Sequence, residues 1–197
     1  MLSELQTIDC DLIRGGVDPI LAKLPSSAGV YAWYKKLLPP DPLKSDAASF
    51  AEFILKETSL PHMLPRTARL PPLYKVTVRS SRNFSEGKQE ALVRLCANPQ
   101  FRRFTADLMK SGSVTFQNPL YIGKADSLSQ RIGEHLRGQS ELKDRLARAS
   151  VNIFRCILVY IETPVFSGGE DEEVATNLII EEMLSKLFCP PFTERYG

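Results

Sequence analysis

Little in this 197-residue chain points to a metal cage, a disulfide framework or a membrane. It has only two histidines and four cysteines. Cys10, Cys96, Cys156 and Cys189 are scattered, with no Cys-x-x-Cys pair and no histidine beside one. That excludes the spacing of a structural zinc site and favours free thiols in a reducing compartment. No run of eighteen apolar residues occurs, so no membrane-spanning helix is expected. The first residues, Met1-Leu2-Ser3-Glu4-Leu5, lack a basic segment ahead of an apolar one. The expectation is therefore a cytoplasmic protein without a signal peptide. Charge of one sign is also missing, because 25 Lys and Arg stand against 23 Asp and Glu. Bulk attraction to nucleic acid is thus excluded as the main source of any binding.

The distribution of charge carries more than its sum. Acids gather at Glu170, Asp171, Glu172, Glu173, Glu181 and Glu182. Bases dominate from 75 to 110, where Arg79, Arg82, Arg102 and Arg103 are candidates for nucleic-acid contact, and again from Lys124 to Arg148. Such stretches suit phosphate contact or, equally, solvated helix faces. With 43% hydrophobic residues the chain can build one domain with a substantial core.

Periodicity supplies the elements. Leu2, Leu5, Ile8 and Leu12 recur at helical spacing, which predicts a partly helical segment over 1–24, and Pro19 suits the first turn of a short helix ending at Lys23. Strands are expected at Gly29–Lys36, Leu73–Arg79, Pro119–Gly123 and Val151–Ile161, from their alternation and β-branched or aromatic content. The strand at 151–161 is apolar enough to be central in a sheet. Helices are expected at Ser45–Thr58, Ser85–Cys96, Asn98–Ser111, Ser127–Gly138, Ser140–Ala149 and about Asp171–Phe188. Four prolines make 59–72 irregular.

Two short signatures stand out, Gly29-Val30-Tyr31 and Tyr121-Ile122-Gly123, with Arg131 ten residues beyond Tyr121 and His135 one helical turn later. A third block runs from Glu181 through Pro190-Pro191-Phe192-Thr193. This set resembles the GIY-YIG nuclease superfamily, over about residues 20–36, 117–162 and 175–196. The resemblance implies an α+β domain: a small central antiparallel sheet flanked by helices, with the two tyrosine motifs on adjacent strands. Compact members join those strands by a short turn, whereas ninety positions separate Tyr31 from Tyr121 here. The whole chain, 1–197, would then be one nuclease domain carrying an insertion at about 37–117. That insertion is read as a DNA-gripping or specificity element, or as structural elaboration.

The same resemblance implies an activity, metal-dependent hydrolysis of DNA phosphodiester bonds to 5′-phosphate and 3′-hydroxyl ends. Its implied catalytic residues are Tyr31, Tyr121, Arg131, His135 and Glu181, with Lys124 and Thr193 secondary. Glu181 would hold Mg²⁺ (or Mn²⁺), because a carboxylate is a hard oxygen ligand and such ions bind one or two carboxylates plus substrate phosphate. A planar guanidinium at Arg131 can fork two phosphoryl oxygens. Tyr31 would position or deprotonate water, directly or through His135, with Arg131 and the metal favouring the phenolate. Tyr121 would orient water or phosphate, and Lys124 could share that task and touch DNA.

Taken singly, each of these residues has an ordinary reading: a packed strand tyrosine, an exposed helix arginine, a glutamate no different from Glu173 or Glu182. One departure from the pattern is Thr193, which keeps the twelve-residue spacing from Glu181 but replaces the family's asparagine. The pattern is closest to restriction and defence endonucleases, since no appended DNA-binding domain is recognisable. DNA is the expected partner, with a homodimer or a larger defence complex both open. The alternative is a GIY-YIG-like module that binds nucleic acid or a partner without cutting.

Overall fold

The computed structural model describes residues 4–13, 15–58, 66–70, 74–78, 84–163, 170–188 and 190–192. In chain order its elements are β1 (Gln6–Asp9), α1 (Val17–Leu21), β2 (Gly29–Lys35), α2 (Ala47–Thr58), β3 (Arg66–Leu70), β4 (Tyr74–Val78), α3 (Glu86–Cys96), α4 (Pro99–Ser111), β5 (Tyr121–Ala125), α5 (Leu128–Arg137), α6 (Glu141–Arg148), β6 (Cys156–Glu162) and α7 (Glu170–Phe188). The fold is of the α+β class, a four-stranded antiparallel sheet in the order β1-β6-β2-β5 accompanied by helices. Among the described residues, no helix is long and apolar enough to cross a membrane.

The chain divides into two compact units, one formed by Met1–Lys36 with Gly112–Gly197 and the other by Leu37–Ser111. The second unit holds α2, the antiparallel pair β3-β4, α3 and α4. Its small core consists of Phe50, Ala51, Ile54, Leu92, Cys96 and Ala106. Asp46 caps α2 by accepting from the Ser49 N–H at 2.9 Å.

In the first unit, alternation along β2 puts Tyr31 and Trp33 on one sheet face, with Leu158 and Tyr160 of β6 beside them. The apolar stripe of α5, Leu128, Ile132 and Leu136, is fully buried in the same cluster. Burying each of these side chains stabilises the fold by about 1.5–3 kcal/mol. On the other face Val30, Ile122, Ile157 and Val159 are buried as well, and α7 packs on β5 and β2.

Three local expectations are overturned. Residues 6–9 form a strand, not part of a helix, because Gln6 to Asp9 pair in register with Tyr160 to Ile157 along the free side of β6. Ile8 enters the core while Leu5 stays 64% exposed, so the helical spacing of apolar residues has no second partner to serve. Residues 66–70 are a strand rather than irregular chain, since β4 supplies backbone partners for the whole segment. Residues 153–155 form a 3₁₀ turn instead of opening the strand: Asn152 Oδ1 accepts from the Phe154 N–H at 3.0 Å, and β6 starts only at Cys156.

Candidate active site

Helix α5 is bracketed by its own sequence. Ser127 caps the start by accepting from the Gln130 N–H, and Gly138 ends it at φ 76°, the left-handed conformation glycine adopts without strain. Within that frame Arg131 and His135 lie one turn apart on the same face. Across the sheet, Tyr31 of β2 pairs with Gly123 of β5, and Trp33 pairs with Tyr121. Tyr31 and Tyr121 therefore share the face against which α5 packs.

Gly123 makes the approach of the rings geometrically possible. A Cβ at that position would stand 2.6 Å from the Tyr31 hydroxyl and 2.7 Å from the Tyr121 ring. Without one, Tyr31 Oη reaches Nε2 of His135 at 2.5 Å. The three rings form a cluster with centroids 5.6–6.0 Å apart, Tyr121 standing edge-on to His135. On its far side, Nδ1 of His135 lies 2.5 Å from Oγ of Ser140. The structure thus places Tyr31, Tyr121, Arg131 and His135 in one constellation.

Burial governs its electrostatics. Both Tyr31 and His135 are only 1% exposed. Burial, and then the neighbouring Tyr121, push the Tyr31 phenol well above its ordinary value, and Arg131 opposes this without prevailing. Arg131 does favour the phenolate, as expected, but taking an anion out of water costs more than one guanidinium recovers. Burial, joined by Arg131, lowers His135 to about 4, so its imidazole is neutral at physiological pH. For Arg131 burial pulls downward, but its 2.6 Å bond to Glu134 and the two phenols outweigh that pull and keep it charged. The same bond holds the Glu134 carboxyl below its ordinary range.

Above this buried layer opens a cleft of about 410 Å³, lined by Tyr121, Lys124, Asp126, Arg131, Glu134 and Glu181 among others. Tyr121 and Lys124 have opposite parity on β5 and leave opposite faces of the strand. A single cleft can take both because β5 is an edge of the sheet, with α5 contributing Arg131 and α7 contributing Glu181. Tyr31 and His135 do not line the cleft, so a direct contact of Tyr31 with attacking water is not what this geometry offers. Tyr121 is the phenol that faces it.

Of the three carboxylates that line the cleft, Glu134 is ion-paired to Arg131, whereas no ion pair is seen for Asp126 or Glu181 among the described residues. Burial raises the pKa of Glu181, and Lys124 and Arg131 pull it back down. Such a carboxylate has the chemistry of a cation ligand. Among the described residues, no three His, Cys, Asp or Glu side chains gather as a cage. Glu181 could supply one hard oxygen ligand to a Mg²⁺ or Mn²⁺ ion.

The other nucleic-acid candidates divide. Lys124 lines the cleft and Arg103 is exposed on α4. Arg102 is turned inward, which corrects its reading as a DNA contact. Its guanidinium donates to the carbonyl of Pro42 at 2.8 Å and of Cys96 at 2.6 Å, so it satisfies backbone groups inside the second unit. Arg79, Arg82 and Thr193 lie outside the described residues.

Two further residues belong to the site. Glu134 carried a readable signal, an acid three positions after Arg131 on one helix. Ser140 looked like no more than a helix cap. No family model, curated protein or solved structure matches the chain.

Proposed function

We propose that the chain is a metal-dependent DNA endonuclease of the GIY-YIG type that leaves 5′-phosphate and 3′-hydroxyl ends. The observation that carries this reading is the cleft at the β5 edge, where the Arg131 guanidinium, the Tyr121 phenol, the Lys124 ammonium group and the Glu181 carboxylate face one space above a neutral tyrosine–histidine pair. Arg131 binds and orients the scissile phosphate, and meets charge as it develops there. Its bond to Glu134 fixes the fork in direction while leaving further N–H donors free. Tyr121 holds the water in line, and Lys124 grips a flanking phosphate. Glu181 would hold a Mg²⁺ or Mn²⁺ ion, which would supply Lewis acidity to the hydrolysis.

Tyr31 and His135 serve as a proton path beneath the floor. Tyr31 lies against Tyr121 on one side and His135 on the other. A proton released near Tyr121 can move along the phenols to Nε2, once phosphate brings negative charge close enough to offset the burial of an imidazolium. The reading places the chain in a restriction or anti-phage defence role in a reducing cytoplasm, where the buried thiols of Cys10, Cys96 and Cys156 remain free. DNA is its partner.

A second reading is a module that binds nucleic acid or a protein without cutting. It is favoured by the burial of Tyr31 and His135, which no water reaches in this conformation. Conversion of supercoiled plasmid to open or linear form, with Mg²⁺ and with chelator, separates the two. The endonuclease cuts only with metal and Glu181→Ala does not cut. A protein that shifts plasmid in a gel, with neither form cutting, is the module.

A further inference from the structure

We propose that Ser140 is a positioning residue that holds His135 as the Nδ1–H tautomer, leaving Nε2 as the acceptor for the Tyr31 hydroxyl. Ser140 occupies the N-cap position of α6, where a serine ordinarily accepts a hydrogen bond from the first turn. Here its side chain makes no such bond. The hydroxyl is turned away from the helix it should cap and toward His135 Nδ1 at 2.5 Å. A cap given up in favour of a single ring nitrogen is the observation that sets this serine apart from Ser127, which does cap its helix.

The direction of the bonds follows from what else touches the phenol. Arg131 is close enough to the Tyr31 hydroxyl to pull its pKa downward, and a guanidinium only donates. A cation on that side favours turning the oxygen's lone pairs toward Arg131 and its one proton toward His135 Nε2, 2.5 Å away. A nitrogen that accepts carries no proton. The imidazole, neutral in its buried seat, must then carry its single proton on Nδ1 and donate to Ser140 Oγ, whose lone pairs are free because they cap nothing. Tyr31, His135 and Ser140 form a chain in which each member orients the one before it, the logic of a base held by a third group. The tautomer itself depends only on this geometry, whereas its catalytic consequence rests on the nuclease reading above.

The test uses the intact protein labelled with ¹⁵N-histidine at neutral pH, with His62→Gln assigning the two imidazoles. Long-range proton–nitrogen correlation is expected to show a protonated Nδ1 and an unprotonated Nε2 for His135. Ser140→Ala moves both signals toward tautomer-averaged positions and slows plasmid cleavage roughly tenfold, the effect of losing one neutral hydrogen bond. Ser140→Thr, which keeps the hydroxyl, restores both. The melting temperature of Ser140→Ala falls by several degrees at most, the effect of a buried Nδ1–H that loses its acceptor, and the variant still melts cooperatively. A protonated Nε2 in the wild type overturns the proposal, as does Ser140→Ala with unchanged His135 signals. If the expected tautomer is seen but no form of the protein cuts plasmid, the assignment of Ser140 stands and the endonuclease reading is the one that fails.

Discussion

The Tyr31 hydroxyl and the His135 imidazole meet at 2.5 Å although 104 positions separate them in the chain. Three features bring them together: the register that sets Tyr31 opposite Gly123, the missing side chain at Gly123, and the capped helix that aims His135 back at the sheet. Because both partners are sealed from solvent, each is held in its uncharged form. Tyr121, which packs against both rings, also lines the cleft.

Gly123→Ala tests that arrangement from the backbone side. The new methyl group collides with the Tyr31 hydroxyl and the Tyr121 ring, and both rings are confined by the core. The variant is expected to lose about 1–3 kcal/mol of stability by overpacking, read from urea unfolding. Cleavage should fall further than stability explains. A variant with wild-type stability and activity would show that the rings do not need this close approach.

His135 predicts an acid sensitivity with a defined window. Its folded pKa of about 4 lies below the unfolded value of 6.5. The stability this confers is fully present above pH 6.5 and is lost as pH falls from there toward 4, because the unfolded chain takes up the proton first. The loss is on the order of 3 kcal/mol at the acid end. His135→Gln should flatten this part of the stability–pH curve. The check is the difference between wild-type and variant unfolding free energies at several pH values, and equal slopes would contradict the depressed pKa.

The proposed metal role of Glu181 would set function against stability. Burial raises its folded pKa, so the ionised carboxylate is disfavoured by folding, and that cost is present at neutral pH and relieved as pH falls. Glu181→Gln is expected to melt no lower than wild type in metal-free buffer. The rise should not exceed about 2–4 °C, the shift that 1 kcal/mol produces in a chain of this size. Added Mg²⁺ and duplex DNA should together raise the melting temperature of wild type and not of the variant. Equal responses would remove Glu181 from the metal site.

How much of this could be read in advance depended on whether a feature was local. Ser127 and Gly138 mark the limits of α5 with cap chemistry, and the alternation of Gly29 to Lys35 marks β2, so the α+β class and the helix carrying Arg131 were legible. Residues 6–9 were misread because strand pairing with β6 is a long-range event that leaves no periodicity in four residues. Arg102 and Arg103 are neighbours of one residue type, yet one feeds carbonyls inside the fold and the other meets solvent. No spacing rule separates them. Burial was the largest omission: the sequence names Tyr31 and His135, but only packing tells that they lie beneath the cleft and that desolvation overrides the pull of Arg131. Ser140 was hidden for a related reason, since a serine before a helix already has an ordinary explanation.

The most direct test of the account is the single-turnover cleavage of supercoiled plasmid by Arg131→Ala, beside wild type and with a melting curve for each. Arg131 is half-exposed and its ion pair with Glu134 contributes at most about 1 kcal/mol, so the variant should melt cooperatively near the wild-type temperature. Its cleavage rate should fall roughly 100- to 1,000-fold, the loss expected when a fixed donor to the developing charge is removed. A folded Arg131→Ala protein that cuts as fast as wild type would contradict the proposal that this cleft hydrolyses DNA.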